Sequence, residues 1–114
     1  MPYFALFYDV VDDFPNKRTP FRPDHLRHVQ QSHDRGDLLL AGALAQPVDA
    51  ALLIFRGNDA SVAEDFARRD PYVTAGLVTR WHVRPYMQVI ATQPGEEAPV
   101  AAQAPAARPA RNAL

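Results

Sequence analysis

Three short segments of this chain are apolar on both faces that a β-strand would present. They are Tyr3-Phe4-Ala5-Leu6-Phe7-Tyr8, Leu38-Leu39-Leu40-Ala41-Gly42-Ala43-Leu44 and Ala51-Leu52-Leu53-Ile54-Phe55. A strand with one wet face alternates apolar and polar residues, so an unbroken apolar run calls for cover on both sides. What lies between the runs decides how they connect. Asp9 to Thr19 is polar and contains Pro15, Asn16 and Lys17, which reads as a loop. Pro23 suits the first turn of a helix, where its missing N–H is not needed. That helix runs to about Arg35, with Gly36 placed for a left-handed C-terminal cap.

Only a short turn containing Pro47 and Asp49 separates the second strand from the third, so the two are antiparallel. Gly57-Asn58-Asp59 ends the third strand. Ser61-Val62-Ala63-Glu64 has the spacing of a capping box and predicts a second helix with Val62, Ala63, Phe66 and Ala67 on its core side. That helix must stop before Pro71. A turn or short helical piece, Tyr72 to Gly76, leads into a last strand, Leu77 to Met87. The order β-α-β-β-α-β is the ferredoxin-like split arrangement, an α+β fold in which a four-stranded antiparallel sheet carries two helices on one face. Nothing in the chain covers the other face of strands that are apolar on both sides, so a second copy is expected there and the chain reads as a homodimer. In the last strand, Leu77, Thr79, Trp81 and Val83 point one way, and Arg80, His82, Arg84 and Tyr86 the other. If the first set meets the helices, the polar row faces the partner, where it lines a cavity or pairs across the interface.

Composition bounds the function. The 12 basic and 13 acidic residues leave a net charge of −1, with no basic stripe for DNA or RNA and no membrane-surface helix. There is no cysteine, which excludes disulfides, thiolate catalysis and Cys-based metal sites. The N-terminus lacks the pattern of a signal peptide, and no apolar stretch approaches the roughly 20 residues of a membrane helix. The expectation is a soluble, cytoplasmic protein. After about Ile90 the composition turns to Ala and Pro without aromatic residues, so residues 1–90 are expected to form the domain and 91–114 a disordered tail.

The histidines are His25, His28, His33 and His82. His25 and His28 share a helix face, which can bind a metal, but no Asp or Glu completes a known metal signature. Neither a metal nor a cofactor is expected. His25 lies in the first turn of its helix, where the helix dipole favours the neutral ring, a competent general base near pH 7. Asp70 stands at the end of the second helix. A carboxylate is electrostatically misplaced there, which hints at another use, such as orienting an imidazole. The bland alternatives are a capping histidine and a turn-forming Asp before Pro.

Four stretches carry a family resemblance: Arg22-Pro23-Asp24-His25-Leu26, Gly36-Asp37-Leu38-Leu39-Leu40-Ala41-Gly42, Asp70-Pro71-Tyr72-Val73-Thr74-Ala75-Gly76-Leu77-Val78 and Val83-Arg84-Pro85-Tyr86. In this order and spacing they resemble the YCII (YciI-like) family. The resemblance implies a ferredoxin-like, dimeric α+β barrel fold and a site built on a His–Asp pair, here His25 and Asp70. One resembling enzyme type eliminates chloride from a chlorinated hydroxyhydroquinone, and the fold relatives include muconolactone isomerases. The family usually reads Gly-Pro at the end of the second strand, where this chain has Gly42-Ala43.

Two functions are in play. The first is a small cofactor-independent enzyme in which His25, oriented by Asp70, moves protons on a small aromatic or enolic molecule. Arg22, Arg80 or Arg84 would hold an anionic oxygen, Ser32 would be a further polar contact, and His82 would share a cavity wall with Arg80 and Arg84. Tyr3, Phe7, Tyr8, Tyr72 and Trp81 would line the cavity. The second is a non-catalytic binding or interaction module of the same fold, favoured if His25 and Asp70 lie beyond direct hydrogen-bond reach.

Overall fold

The structure, a computed structural model, describes residues 1–91. The tail expected from residue 91 onward lies, from residue 92, outside the described residues. Four strands form one antiparallel sheet in the order β2-β3-β1-β4: β1 is Tyr3–Val10, β2 Leu38–Leu44, β3 Ala50–Arg56 and β4 Val78–Tyr86. β1 is central, pairing Leu6 with Leu53 of β3 and with Val83 of β4. This is the ferredoxin-like α+β fold.

The polar segment before the first long helix is more ordered than its composition suggests. It holds a short helix α1, Phe14–Lys17, and a 3₁₀ turn, Thr19–Phe21. Pro15 and Pro20 preset φ at the start of each. Phe14 is buried and anchors the segment edge-on against Tyr72, with ring centroids 5.2 Å apart.

Helix α2 spans Arg22–Asp34 and ends where Gly36 adopts φ +85°. Gly36 N donates to the His33 carbonyl and Asp37 N to that of Ser32, so two otherwise orphaned carbonyls are satisfied. Helix α3, Ser61–Arg69, buries Ala63, Phe66 and Ala67. Its start differs from the capping-box expectation. Ser61 is already inside the helix, and the carboxylate of Asp59 accepts the Ser61 N–H at 2.9 Å. A charged acceptor two residues before the helix takes the place of the weaker hydroxyl cap. A further turn, α4, Pro71–Thr74, follows and closes at Gly76 with the same carbonyl pattern as Gly36.

α2 and α3 lie on one face of the sheet. That face presents Phe4, Leu6, Tyr8, Leu53 and Phe55, with Trp81 and Val83 packed against the same core. The other face presents Phe7, Leu52, Ile54, Leu40 and Leu44 beside Asp9, Arg80, His82 and Arg84. Among these, Leu40 is 67% and Leu44 55% exposed, an apolar surface that the described residues do not cover. No helix among the described residues is long and apolar enough to cross a membrane.

Candidate functional site

Asp70 is the pivot of the site. Pro71 forces its predecessor out of the helical region, and Asp70 is extended at φ −70°, ψ 124°. It ends α3 and simultaneously caps α4, where its Oδ1 accepts the Tyr72 N–H at 3.0 Å. The carboxylate is therefore not misplaced at a helix C-terminus, as the sequence suggests. It occupies a helix N-cap, where an acceptor belongs.

Two side chains complete the set. Tyr8, reaching from the middle of the sheet, donates its hydroxyl to Asp70 Oδ2 at 2.6 Å. His25, from the first turn of α2, places Nδ1 2.7 Å from Asp70 Oδ1. Asp70 is fully buried, while His25 keeps 14% of its side chain exposed. Three donors thus converge on the two carboxylate oxygens, which satisfies a buried group that would otherwise be costly. Burial, reinforced by the adjacent Asp70 charge, pushes the Tyr8 hydroxyl far above its ordinary range, so Tyr8 remains a donor.

The imidazole is fixed on a second side by Tyr72. The two rings stack with centroids 3.7 Å apart and planes 10° from parallel. Because Nδ1 donates to Asp70, Nε2 carries the free lone pair. His25 also lines a cavity of about 210 Å³, together with Tyr8, Phe14, Arg18, Arg22, Leu26, Val29, Ala41, Gly42, Ala43, Ala51, Leu53 and Tyr72. The position where the family usually carries proline, Ala43, is therefore part of the cavity wall.

The other residues singled out in the sequence are placed differently. Arg22 and Tyr72 stand in this cavity. Ser32 is on the buried face of α2 and does not line it. Arg80, His82 and Arg84 project from the opposite sheet face, where Arg80 pairs with Asp9 at 3.0 Å and His82 stacks on Phe7 at 4.8 Å. Trp81 and Val83 lie on the helix face, as the alternation in β4 predicts, but neither borders the cavity, nor do Tyr3 and Phe7. His28 is drawn away from His25: its Nε2 donates to the Phe66 carbonyl at 2.9 Å and its ring stacks on Phe66. Among the described residues no three His, Asp or Glu side chains converge on a common point. Of the cavity residues that the sequence did not mark, Leu26, Val29, Ala41, Ala51 and Leu53 are small or aliphatic wall, whereas Phe14 and Arg18 bring new chemistry. The available signal was Phe14 itself, a large apolar residue inside a polar stretch.

The match to the YCII-related domain family covers residues 1–87. The chain belongs to that family. Protein YciI of Escherichia coli is 32% identical over 98 residues, spanning 78% of this chain and 99% of the relative. A Haemophilus influenzae protein is 28% identical over 96 residues, spanning 76% and 98%. Among solved structures, the fold resembles 5-chloro-2-hydroxyhydroquinone dehydrochlorinase from Burkholderia phenoliruptrix, in complex with 2,5-dihydroxybenzoquinone. Its TM-score is 0.66 at 15% identity, covering 76% of this chain and 95% of that one. Pseudomonas aeruginosa PA3566 shares the fold at a TM-score of 0.51 and 8% identity, covering 78% and 95%.

Proposed function

We propose that this protein is a small acid–base catalyst that needs no cofactor and acts on a small aromatic or enolic molecule. The observation that carries this reading is the His25–Asp70 contact of 2.7 Å beside a cavity. A buried carboxylate that holds an imidazole by Nδ1 and leaves Nε2 towards a ligand is the arrangement in which histidine moves protons efficiently. His25 Nε2 takes a proton from a C–H or O–H bond of the substrate, and the electron pair of that bond moves into an enolate. The imidazolium, stabilised by Asp70, then returns the proton at a conjugated position, which is isomerisation. Alternatively, the enolate expels a leaving group with its electron pair, and the imidazolium gives its proton to that group or to water, which is elimination. The dehydrochlorinase of the same fold supports the second outcome as a class of chemistry. The direct contact also speaks for catalysis over a binding module that needs no such pair.

The uncovered sheet face supports a homodimer in which a second copy packs against Leu40, Leu44 and Phe7. Arg80, His82 and Arg84 would then lie at the junction of the two sheets, away from His25 in the same chain.

Proton transfer is tested with anaerobic hydroxyhydroquinone in D₂O, following ring deuteration by NMR. Wild-type protein accelerates exchange, and His25→Ala loses about 10²-fold or more of that acceleration, the usual contribution of a general base. Equal exchange by wild type and His25→Ala would end the proposal.

A further inference from the structure

The Tyr72 hydroxyl is buried and has no hydrogen-bond partner among the described residues. Leaving such a donor unpaired costs about 1–3 kcal/mol, so its persistence needs a reason. The ring cannot swing the hydroxyl out to water. It is held face-on by His25 and edge-on by Phe14. Burial raises the Tyr72 pKa, while the guanidiniums of Arg22 and Arg18 lower it, Arg22 also by turning an N–H towards the hydroxyl oxygen, which still leaves the hydroxyl proton without an acceptor.

Arg27, Arg35, Arg68 and Arg80 pair with aspartates; Arg18 and Arg22, like Arg56, Arg69 and Arg84, form no ion pair among the described residues, but of these five only Arg18 and Arg22 line the cavity. Arg18 instead lies over the Phe14 ring, 5.3 Å from its centroid. Among the described residues no Asp or Glu lines the cavity, and both oxygens of the nearby Asp70 are already occupied. One part of the cavity therefore offers two cations and one spare donor with no carboxylate among the described residues to receive them. Leu26, Val29, Ala41, Ala51 and Leu53 make the remainder apolar.

We propose that the cavity takes a small organic anion, a carboxylate or an equally ionised enolic oxygen on a one-ring body, received by Arg18, Arg22 and the Tyr72 hydroxyl. The volume of about 210 Å³ lies below the roughly 300–1,000 Å³ of pockets for drug-sized ligands, which suits one ring and a substituent. A guanidinium pair and a phenol are matched to such an oxygen in charge and in donor number. This rests on the acid–base reading only in setting the anion beside His25. The same cations would stabilise negative charge that develops when His25 removes a proton.

The test uses benzoate and its neutral isostere benzamide, titrated by NMR into the full-length protein. Benzoate is expected to bind at least about ten-fold more tightly than benzamide. Arg18→Gln and Arg22→Gln should each erase most of that ratio, Arg22→Lys should retain part of it, and Tyr72→Phe, which keeps the stack on His25, should weaken benzoate alone by about three- to ten-fold. Equal affinities in the wild type, or an unchanged ratio in both Gln variants, would overturn the proposal. The two readings separate in His25→Ala. A benzoate preference that survives there, with no proton exchange in any variant, upholds the anion site and removes the catalytic reading. Exchange that depends on His25 without any anion preference does the reverse.

Discussion

Removing one oxygen atom, by Tyr8→Phe, tests whether the buried carboxylate governs both stability and the site. The Tyr8 hydroxyl donates at 2.6 Å to a carboxylate with no exposure, from a side chain that is itself buried. A hydrogen bond to a charged group contributes about 1.5–3 kcal/mol net, and its loss leaves Asp70 Oδ2 unsatisfied, so about 2 kcal/mol is expected at pH 7. For a domain of this size that lowers Tm by about 8–16 °C. The pH dependence sharpens the test. The Tyr8 pKa is raised above its ordinary 10.0 in the folded state, so the unfolded chain loses this proton first. The stabilisation is complete below about pH 10 and declines as pH rises beyond it, by about 1.4 kcal/mol per unit. Urea unfolding of both proteins at pH 7 and 11 should therefore show the difference between them shrink from about 2 to about 0.6 kcal/mol. The other tyrosines cancel in that difference. A gap that stays constant with pH would mean that Tyr8 ionises alike in both states. No gap at pH 7 would mean that the bond to Asp70 contributes nothing.

Two further outcomes follow from the geometry. Asp70→Asn should keep the His25 tautomer: Oδ1 faces both the fixed Tyr72 N–H and His25 Nδ1, so the amide oxygen must take that place and the amide NH₂ must turn to Tyr8, whose hydroxyl can rotate to accept. Ring ¹⁵N–¹H correlations should show Nδ1 protonated in both proteins, and a switch to Nε2–H would refute the assignment. Leu40→Asp with Leu44→Asp places two charges on the uncovered sheet face, and sedimentation should show the wild-type dimer replaced by a folded monomer; a monomeric wild type would dispose of the sheet-to-sheet dimer.

The fold was legible because its punctuation is local. Gly36 and Gly76 end helical segments through their own φ values, and Pro23 and Pro71 restrict the residues around them whatever the tertiary context. Alternation in β4 correctly separated Trp81 and Val83 from Arg80, His82 and Arg84. It did not say which face holds the cavity, because that depends on where α2 and the loop before it settle. Composition likewise hid Phe14 and Arg18, since a polar stretch held down by one aromatic residue looks the same as a solvated loop.

The site was legible for a different reason. His25 and Asp70 are 45 residues apart, and Tyr8 and Asp70 are 62 apart, so no local pattern joins them. The family motif marked the pair, and the physical cause appears only in three dimensions. Pro71 prevents α3 from continuing through Asp70. The extended backbone that results makes Asp70 the cap of a new helical turn, and that turn carries Tyr72. The backbone N–H and the ring of Tyr72 therefore reach the site together, one fixing Asp70 and the other stacking on His25. Without the break at Pro71, Asp70 would continue α3 and Tyr72 would lose its place against the imidazole. The Asp-Pro-Tyr sequence thus acts as one structural device, which binds the carboxylate, the imidazole plane and the unpaired phenol into a single rigid arrangement.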